Sequence, residues 1–271
     1  MGHRSPHIQR LVKAQILHGR KILLMRSKSK LMKFLLMLKK LRFFSPRALQ
    51  EYIEVVEFQR PTRFSWSQHG EDVTLTSISD FPSIGRYLDI GANDPIRFSN
   101  TNLLYKLGWS GVNVEPNPRL FQRLQKYRIN DVNLNLLVGD NSVKTFFNFK
   151  ENALSTADRA TAERLITSGR KLEVTTQIKS VTLRSIYDKY FPQQGCDFLN
   201  IDCEGLDLEI IKSLDLDTLS LKRYPRWILV ETLPPIQKVL DGGISKLLLE
   251  NNFELFLVLP RGSLFRFIES L

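Results

Sequence analysis

Acidic side chains are missing from the start of this chain. Residues 1–50 contain 13 Lys or Arg and no Asp or Glu, and Glu51 is the first carboxylate. The remaining residues hold 26 basic and 28 acidic side chains, so the net charge of +11 belongs to an amino-terminal arm, residues 1–60. The high pI therefore describes this arm and not residues 61–271, which we predict to form one domain.

The arm also lacks a long apolar run. Its longest is Phe34–Leu38, far below the ~20 residues that cross a bilayer. It has no secretory cleavage pattern, and Pro6 occupies the position where a myristoylation signal needs Ser or Thr. The arm is therefore predicted to form cationic, partly amphipathic helices. We expect these helices to contact an anionic membrane face or, equally, to be solvated or packed on the domain. Nucleic-acid binding is disfavoured because the first 50 residues have only three aromatic side chains, Phe34, Phe43 and Phe44.

Cysteine and histidine are scarce as well. Cys196 and Cys203 are the only cysteines, which indicates a reducing compartment rather than a disulfide framework. We therefore predict a cytoplasmic protein, with the arm able to meet the inner membrane face. His69 is the only histidine outside the arm, so a histidine base would have to be His69, although its sequence position favours a capping or exposed histidine over a base.

The stretch Tyr87–Pro118 predicts a β-α-β unit. An apolar run that closes on Asp89-Ile90-Gly91 is typical of a buried strand and a tight turn, where glycine lets a ligand approach the backbone. Ser99–Leu107 predicts a helix, and Val112–Val114 a second strand that ends on Glu115. Because ligands bind beyond the carboxyl ends of parallel strands, we expect Glu115 to accept the hydroxyls of a ribose there.

The glycine pattern after the first strand bears on the cofactor. A dinucleotide site needs Gly-x-Gly-x-x-Gly, but only Gly91 is present, followed by Asn93 and Asp94. Asp94 would repel a pyrophosphate but not the sulfonium of S-adenosylmethionine (SAM). The spacing favours SAM over NAD, with an α/β turn that binds no ligand as the alternative. Asn93 is included among the expected cofactor-binding residues.

A second informative stretch, Cys196–Gly205, predicts another buried strand, Phe198–Ile201. Asp202 and Glu204 follow it, at the same edge of the sheet as the acids of the first unit. Four carboxylates there would raise one another's pKa unless a positive group lies among them. A sulfonium, an α-amino group or a divalent metal would serve, and we assign no metal ligands.

The rest of the chain predicts a mostly parallel sheet closed by a hairpin. The expected elements are a helix that starts near Glu71, a helix from Pro118 to Arg128, strands Val132–Val138 and Val143–Phe149, a helix or lid over 155–170, an edge strand Leu172–Ile178, helices Val181–Tyr190, Asp207–Leu214 and Ile244–Glu250, a strand Trp227–Val230, and a hairpin of Phe253–Leu259 and Leu264–Ile268. Asp140 lies in a predicted turn, where it would accept a hydrogen bond from an adenine amino group or simply shape the turn.

Four motifs in order make a family resemblance specific. They are Ser67-Gln68-His69-Gly70-Glu71-Asp72, Asp89-Ile90-Gly91-Ala92-Asn93-Asp94-Pro95, Gly108-Trp109-Ser110-Gly111-Val112-Asn113-Val114-Glu115-Pro116 and Asp197-Phe198-Leu199-Asn200-Ile201-Asp202-Cys203-Glu204-Gly205. Together they resemble the FkbM-type SAM-dependent methyltransferases over residues 65–269. The arm lies outside this resemblance.

The resemblance implies a Rossmann-like, class I methyltransferase fold, with a mostly parallel seven-strand sheet and an antiparallel strand from the final hairpin. It also implies O-methylation, usually of a sugar hydroxyl. By the same resemblance Asp89, Gly91 and Glu115 would hold SAM, and Gln68 and Glu71 would border its pocket. Asn-Asp after the first turn departs from the wider methyltransferase pattern but matches this family.

Methyl transfer to a hydroxyl also needs a base, because a sugar hydroxyl has a high pKa. The expected base is Asp202 first, Glu204 second and His69 third, although a carboxylate beside a sulfonium could act as its electrostatic partner instead.

Two other classes of function remain. An amino-directed nucleic-acid methyltransferase would have Asn, Asp or Ser before Pro-Pro and an aromatic residue after it, and Leu233-Pro234-Pro235-Ile236 has neither. A scaffold with a vestigial pocket is the other class.

Overall fold

The computed structural model describes residues 64–232 and 236–269, without the side chains of 236–238. The helices predicted in the arm lie outside the described residues. Within these ranges no helix is long and apolar enough to cross a membrane.

Helices and strands alternate along the described residues. In chain order they are α1 Glu71–Leu75, β1 Arg86–Ile90, α2 Asn102–Lys106, β2 Ser110–Val114, α3 Pro118–Tyr127, β3 Val132–Leu134, β4 Val143–Phe149, α4 Arg159–Thr167, β5 Leu172–Lys179, α5 Leu183–Tyr190, β6 Phe198–Ile201, α6 Asp207–Lys212, β7 Trp227–Glu231, α7 Ile236–Asp241, α8 Gly243–Glu250, β8 Phe253–Leu259 and β9 Gly262–Phe267, with short 3-10 turns at Asn152–Leu154, Leu216–Thr218 and Leu221–Arg223.

Seven strands form one twisted sheet in the order β3-β2-β1-β6-β7-β9-β8. The first five of these are parallel, and β9 lies antiparallel between β7 and β8. The strand order changes direction between β1 and β6, so a crevice opens there at the carboxyl ends of the strands. This confirms the predicted mostly parallel seven-strand sheet with its antiparallel hairpin strand.

The central strands are apolar because both faces of the sheet are covered. In β6 all four residues are buried, and Phe198 packs on one face while Leu199 and Ile201 pack on the other. In β1 the same alternation puts Tyr87 on the first face and Leu88 on the second. The apolar runs that predicted these strands therefore consist of residues that are buried on both faces of the sheet.

The helices begin where the sequence supplies a cap. Asn117 accepts a hydrogen bond from the Arg119 N–H at 3.0 Å, and Pro118 occupies the first turn of α3. Asp158 caps α4 by accepting from the Thr161 N–H at 2.7 Å, and Thr182 caps α5.

The predicted strand Val132–Val138 is wrong in its second half, because β3 ends at Leu134. The Asn135 side chain leaves the ladder and donates to the carbonyl oxygens of Glu115 and Pro116 at 2.8 and 2.9 Å. The following residues remain apolar because they are buried beside the crevice, where Val138 makes a single bridge to Val181.

Strands β4 and β5 form a two-stranded antiparallel ribbon outside the main sheet, and Phe147 of β4 makes a further bridge to Thr156. We call residues 143–179, the ribbon together with the intervening 3-10 turn and α4, the insertion. The helix in the segment predicted as a helix or lid is α4, and Thr161 and Ala162 in its first turn are buried.

A buried arginine joins the end of α3 to the segment that follows β1. The Arg128 side chain is 1% exposed and donates to the Pro95 carbonyl at 3.1 Å and to the Ser99 hydroxyl at 2.9 Å. It also donates to the Tyr87 hydroxyl at 2.9 Å, which in turn donates to buried Asp131. One guanidinium therefore positions the segment 95–99 and balances a buried carboxylate.

We expect Arg128→Leu to lower the free energy of unfolding by about 3–5 kcal/mol, because the buried Asp131 carboxylate would lose its cation. Urea unfolding followed by circular dichroism measures this loss. Arg119→Leu is the matched control, since the Arg119 side chain is 83% exposed and should change the free energy by less than about 0.5 kcal/mol. Equal losses in the two variants would contradict the role assigned to Arg128.

Candidate functional site

A cleft opens at the carboxyl ends of β1, β2, β6 and β7. Its walls combine the turn after β1, the acid after β2, the β6–α6 loop, the end of β7, the β8–β9 turn and part of the insertion. The predicted site residues that line it are Gln68, Glu71, Asp89, Gly91, Asn93, Glu115, Asp202 and Glu204. The order of the strands thus brings eight of the ten predicted residues to one cleft.

Gly91 allows two strand ends to approach closely. Its φ is +81°, and a Cβ there would lie 2.1 Å from the Asp202 carbonyl oxygen. Both Gly91 and Ala92 donate their N–H groups to the Val114 carbonyl, which ties the turn to the end of β2. Any side chain at position 91 would separate β1 from β6 and fill the floor of the cleft.

Glu115 lies at the tip of β2, 5% exposed. One of its carboxylate oxygens accepts from the Asn93 N–H and the other from the Asn117 N–H, each at 2.8 Å. Burial raises the pKa of Glu115 to about 7, although both N–H groups act in the opposite direction. Each oxygen keeps a further lone pair with which a ligand hydroxyl can bond.

Asp89 is directed into the protein at the base of the cleft. Its oxygens accept from the Thr101 hydroxyl at 2.6 Å and from the Asn200 amide at 2.8 Å. The Asn100 amide donates in turn to Asn200 at 3.1 Å. Burial raises the pKa of Asp89, while the two hydrogen bonds favour its charged form. These contacts connect β1, β6 and the start of α2.

Two of the predicted residues do not line the cleft. The Asp140 carboxylate accepts from the Ser142 N–H and hydroxyl, which lower its pKa to about 2, and lies 3.4 Å from Lys144. It acts as a turn residue in the described structure. His69 follows Gln68 but is absent from the cleft wall, and its backbone N–H donates to the Glu71 carboxylate at 2.9 Å.

Three carboxylates meet where β6 and β7 end. Asp202, Glu204 and Glu231 each place an oxygen within 4.8 Å of the others. Burial and then Glu231 raise the pKa of Glu204 to about 7, and burial followed by the same neighbour raises that of Asp202. We call these three side chains the carboxylate trio, whose spacing would also suit a shared cation.

Arg261 supplies a positive charge beside the trio. It donates to Glu231 at 2.9 Å from the turn between β8 and β9, and it lowers the proton affinity of Glu204. Sequence reasoning missed both Glu231 and Arg261. The signal for Glu231 was present, because it ends a predicted strand as Glu115 does, whereas nothing in the Pro260-Arg261-Gly262 turn indicates its partner.

The insertion contributes the remaining wall. Residues 152, 153 and 155–157 line the cleft, and the Thr156 hydroxyl donates to the Glu204 carbonyl at 2.9 Å. Glu204 has a φ of +50°, in the left-handed region that a glutamate rarely adopts. The insertion therefore holds the loop that carries two members of the trio.

The buried acids make stability depend on pH. Glu115 and Glu204 have pKa values of about 7 in the folded protein against an ordinary value of 4.5, so the folded state binds protons more tightly than the unfolded chain. The resulting stabilisation is complete below about pH 4.5 and is lost as pH rises through about 7.

Without ligand, we expect the free energy of unfolding to fall by about 2 kcal/mol for Glu115 alone between pH 5.5 and pH 8. Urea unfolding at the two values tests this, and Glu115→Gln should show a smaller decrease than the wild type. A stability that rises over this range would contradict the assignment.

This chain matches a known protein family. The family model described as the methyltransferase FkbM domain matches residues 89–255, more than half of the chain. No curated protein sequence matches this chain significantly.

Solved methyltransferase structures align over much of the chain with low similarity. The SAH-bound methyltransferase PaMTH1 of Podospora anserina is 13% identical, with 91% of this chain and 98% of that chain covered and a TM-score of 0.37. The precorrin-6y C5,15-methyltransferase of Geobacter metallireducens is 12% identical, with 74% and 87% covered and a TM-score of 0.36. The assignment therefore depends on the family match, and the chain belongs to the FkbM family of SAM-dependent methyltransferases.

Proposed function

We propose that this enzyme transfers the methyl group of SAM to a hydroxyl of a saccharide, in a glycolipid or another glycoside. The carboxylate trio carries this proposal, because it gathers proton-accepting side chains beside the strand ends where the cofactor of such a sheet binds. A sugar hydroxyl is a weak acid and gains from such a base. An acceptor that is already ionised would not need one.

The residues of the cleft suit SAM by their chemistry. Glu115 would accept the ribose hydroxyls, and Gly91 keeps the backbone floor open for the amino-acid part. Asn93 would contribute from the same turn, and Gln68 and Glu71 also line the cleft. Asp89 would act through Asn200 and Thr101, since these residues already bond its oxygens. We leave Asp140 and His69 out of the proposed site.

SAM, when bound, supplies a methyl group that is already activated. The protein must then orient the acceptor oxygen towards the methyl carbon and take the hydroxyl proton as the new O–C bond forms. Asp202 is our choice for this base, because it directly follows β6 at the sheet edge, where burial and then Glu231 raise its pKa. Arg261 pairs with Glu231 beside it and lowers the pKa of Glu204.

We expect Glu115→Ala to abolish SAM binding in isothermal titration calorimetry, because the ribose would lose its carboxylate acceptor. Asp202→Asn should bind SAM nearly as the wild type does and lose about 100-fold or more in kcat, as removal of a general base does. Tight SAM binding by Glu115→Ala would refute the ribose assignment.

The acceptor class is tested by methyl transfer in vitro and by lipid analysis. The full-length enzyme with radiolabelled SAM should transfer label to neutral glycosides. Glycolipids from cells that contain the gene should be heavier by one CH2 group than those from cells that lack it. Absence of label in every saccharide, with saturable SAM binding retained, would refute a saccharide acceptor.

We also propose that the basic arm brings the enzyme to an anionic membrane face, where a lipid-linked saccharide would be presented. The concentration of 13 cations without a carboxylate in residues 1–50 supports this proposal. Nucleic-acid binding is the competing explanation, and a salt titration with RNA and with anionic vesicles would distinguish them.

A further inference from the structure

Phe98 has a backbone conformation that its side chain does not favour. Its φ is +60°, in the left-handed region that glycine and asparagine adopt readily and bulky residues avoid. The residue lies in the segment between β1 and α2, at the wall of the cleft. Glycine would fit this backbone with less strain, so an aromatic residue here indicates a role for the side chain.

Contacts on both sides hold this conformation. Before Phe98, an Asp94 oxygen accepts the N–H groups of Ile96 and Arg97, each at 3.0 Å. After it, the Ser99 N–H donates to the Trp66 carbonyl at 3.1 Å, and the Ser99 hydroxyl accepts from buried Arg128. The backbone conformation of Phe98 is therefore held by hydrogen bonds of its neighbours on both sides.

Folding does not require the ring at this position. Phe98 is 40% exposed and belongs to neither of the two core clusters, unlike Phe81 and Phe198. The Arg97 guanidinium stacks on one side of the ring, 4.4 Å from its centre. An aromatic ring with Arg97 on one of its faces is thus kept at the cleft wall, against the preference of its own backbone.

The surroundings of this ring suit a polyhydroxylated ligand. Gln68, Glu71 and Asn100 line the same cleft, as do the acids of the trio. These side chains accept or exchange hydrogen bonds with hydroxyls, whereas the Phe98 ring offers dispersion contact to C–H groups. A pyranose has both features, a face of C–H groups and a rim of hydroxyls.

We propose that Phe98 is an acceptor-binding residue whose ring packs against the C–H face of a neutral pyranose. This inference rests on the proposed saccharide methylation and names the part of the site that selects the sugar. Phe98 orients the ring of the acceptor, and the trio receives its hydroxyl.

The test compares three variants of the full-length enzyme. Phe98→Asn removes the ring and suits the left-handed backbone, Phe98→Tyr keeps the ring, and Tyr127→Ala is a matched control. Tyr127 is an exposed aromatic residue, 43% exposed, with Arg123 and Lys126 over its ring, and it does not line the cleft. The probes are the methyl glycosides of glucose, galactose, mannose and rhamnose, with catechol as a flat non-sugar acceptor.

For Phe98→Asn we expect an unchanged or higher melting temperature, an unchanged Kd for SAM and a KM for the glycoside raised about tenfold, as expected for one lost ring contact. Phe98→Tyr and Tyr127→Ala should keep the wild-type KM within about twofold. A lower melting temperature with an unchanged KM in Phe98→Asn would overturn the proposal and make the ring structural. Methylation of catechol and of no glycoside would overturn it as well.

A Phe98→Trp variant separates this inference from the proposed function. Its fluorescence should change on titration with the methyl glycosides, whether or not methyl transfer follows. A fluorescence response without label transfer would refute saccharide methylation and retain the pyranose site. Label transfer with the KM unaffected in Phe98→Asn would refute the Phe98 site and retain saccharide methylation. If neither a fluorescence change nor label transfer occurs, both proposals are refuted.

Discussion

The buried carboxylate of Asp89 is the interaction on which the cleft depends. It is bonded to Thr101 at the start of α2 and to Asn200 in β6, so it links the two strands between which the sheet changes direction. Asn100 extends the same chain of hydrogen bonds to the segment that carries Phe98. Because an unsatisfied buried carboxylate is costly, these partners must be in place whenever the sheet is folded. The base of the cleft is therefore preorganised before any ligand arrives.

The cleft above Asp89 contains several acidic side chains, and basic side chains balance them only in part. Glu115, Asp202 and Glu204 all have raised pKa values, with burial as the largest cause in each. Arg261 is the one basic residue that lines the cleft within the described part of the chain. In the proposed site, a cofactor with a sulfonium and an amino group would supply the missing positive charge and relieve repulsion among these acids. The buried acids thus lower the stability of the ligand-free protein and favour binding of a cation.

The sequence predicted the sheet well because its strands are buried on both faces and end on acids, as the segments at Asp89, Glu115 and Asp202 do. It overextended β3, since burial beside the cleft keeps Val138 as apolar as a strand residue would be. The predicted site residues that follow a strand end line the cleft. Asp140 does not line it, because local hydrogen bonds to Ser142 set the direction of its side chain.

Other parts of the site were beyond sequence reasoning for physical reasons. The Arg261–Glu231 pair joins positions 30 residues apart through the pairing of β9 with β7, and no local pattern records that contact. The left-handed backbone of Phe98 has no sequence signal, because the chain has an aromatic residue where glycine or asparagine would be expected. The roles of both residues become visible only when the fold brings distant segments together.

The separate pairing of β4 with β5 has a consequence for divergence within the family. Since the ribbon shares no ladder with the seven-strand sheet, its outward residues can be exchanged without disturbing the register of the catalytic strands. Such exchanges must preserve the contacts that join the insertion to the rest of the domain, which include the Thr156 hydroxyl on the Glu204 carbonyl, the Asn117 amide on Asn148 and Lys144 on Glu209. Exchange of residues 143–179, with these contacts retained, would therefore change one wall of the cleft and leave the seven-strand sheet as it is.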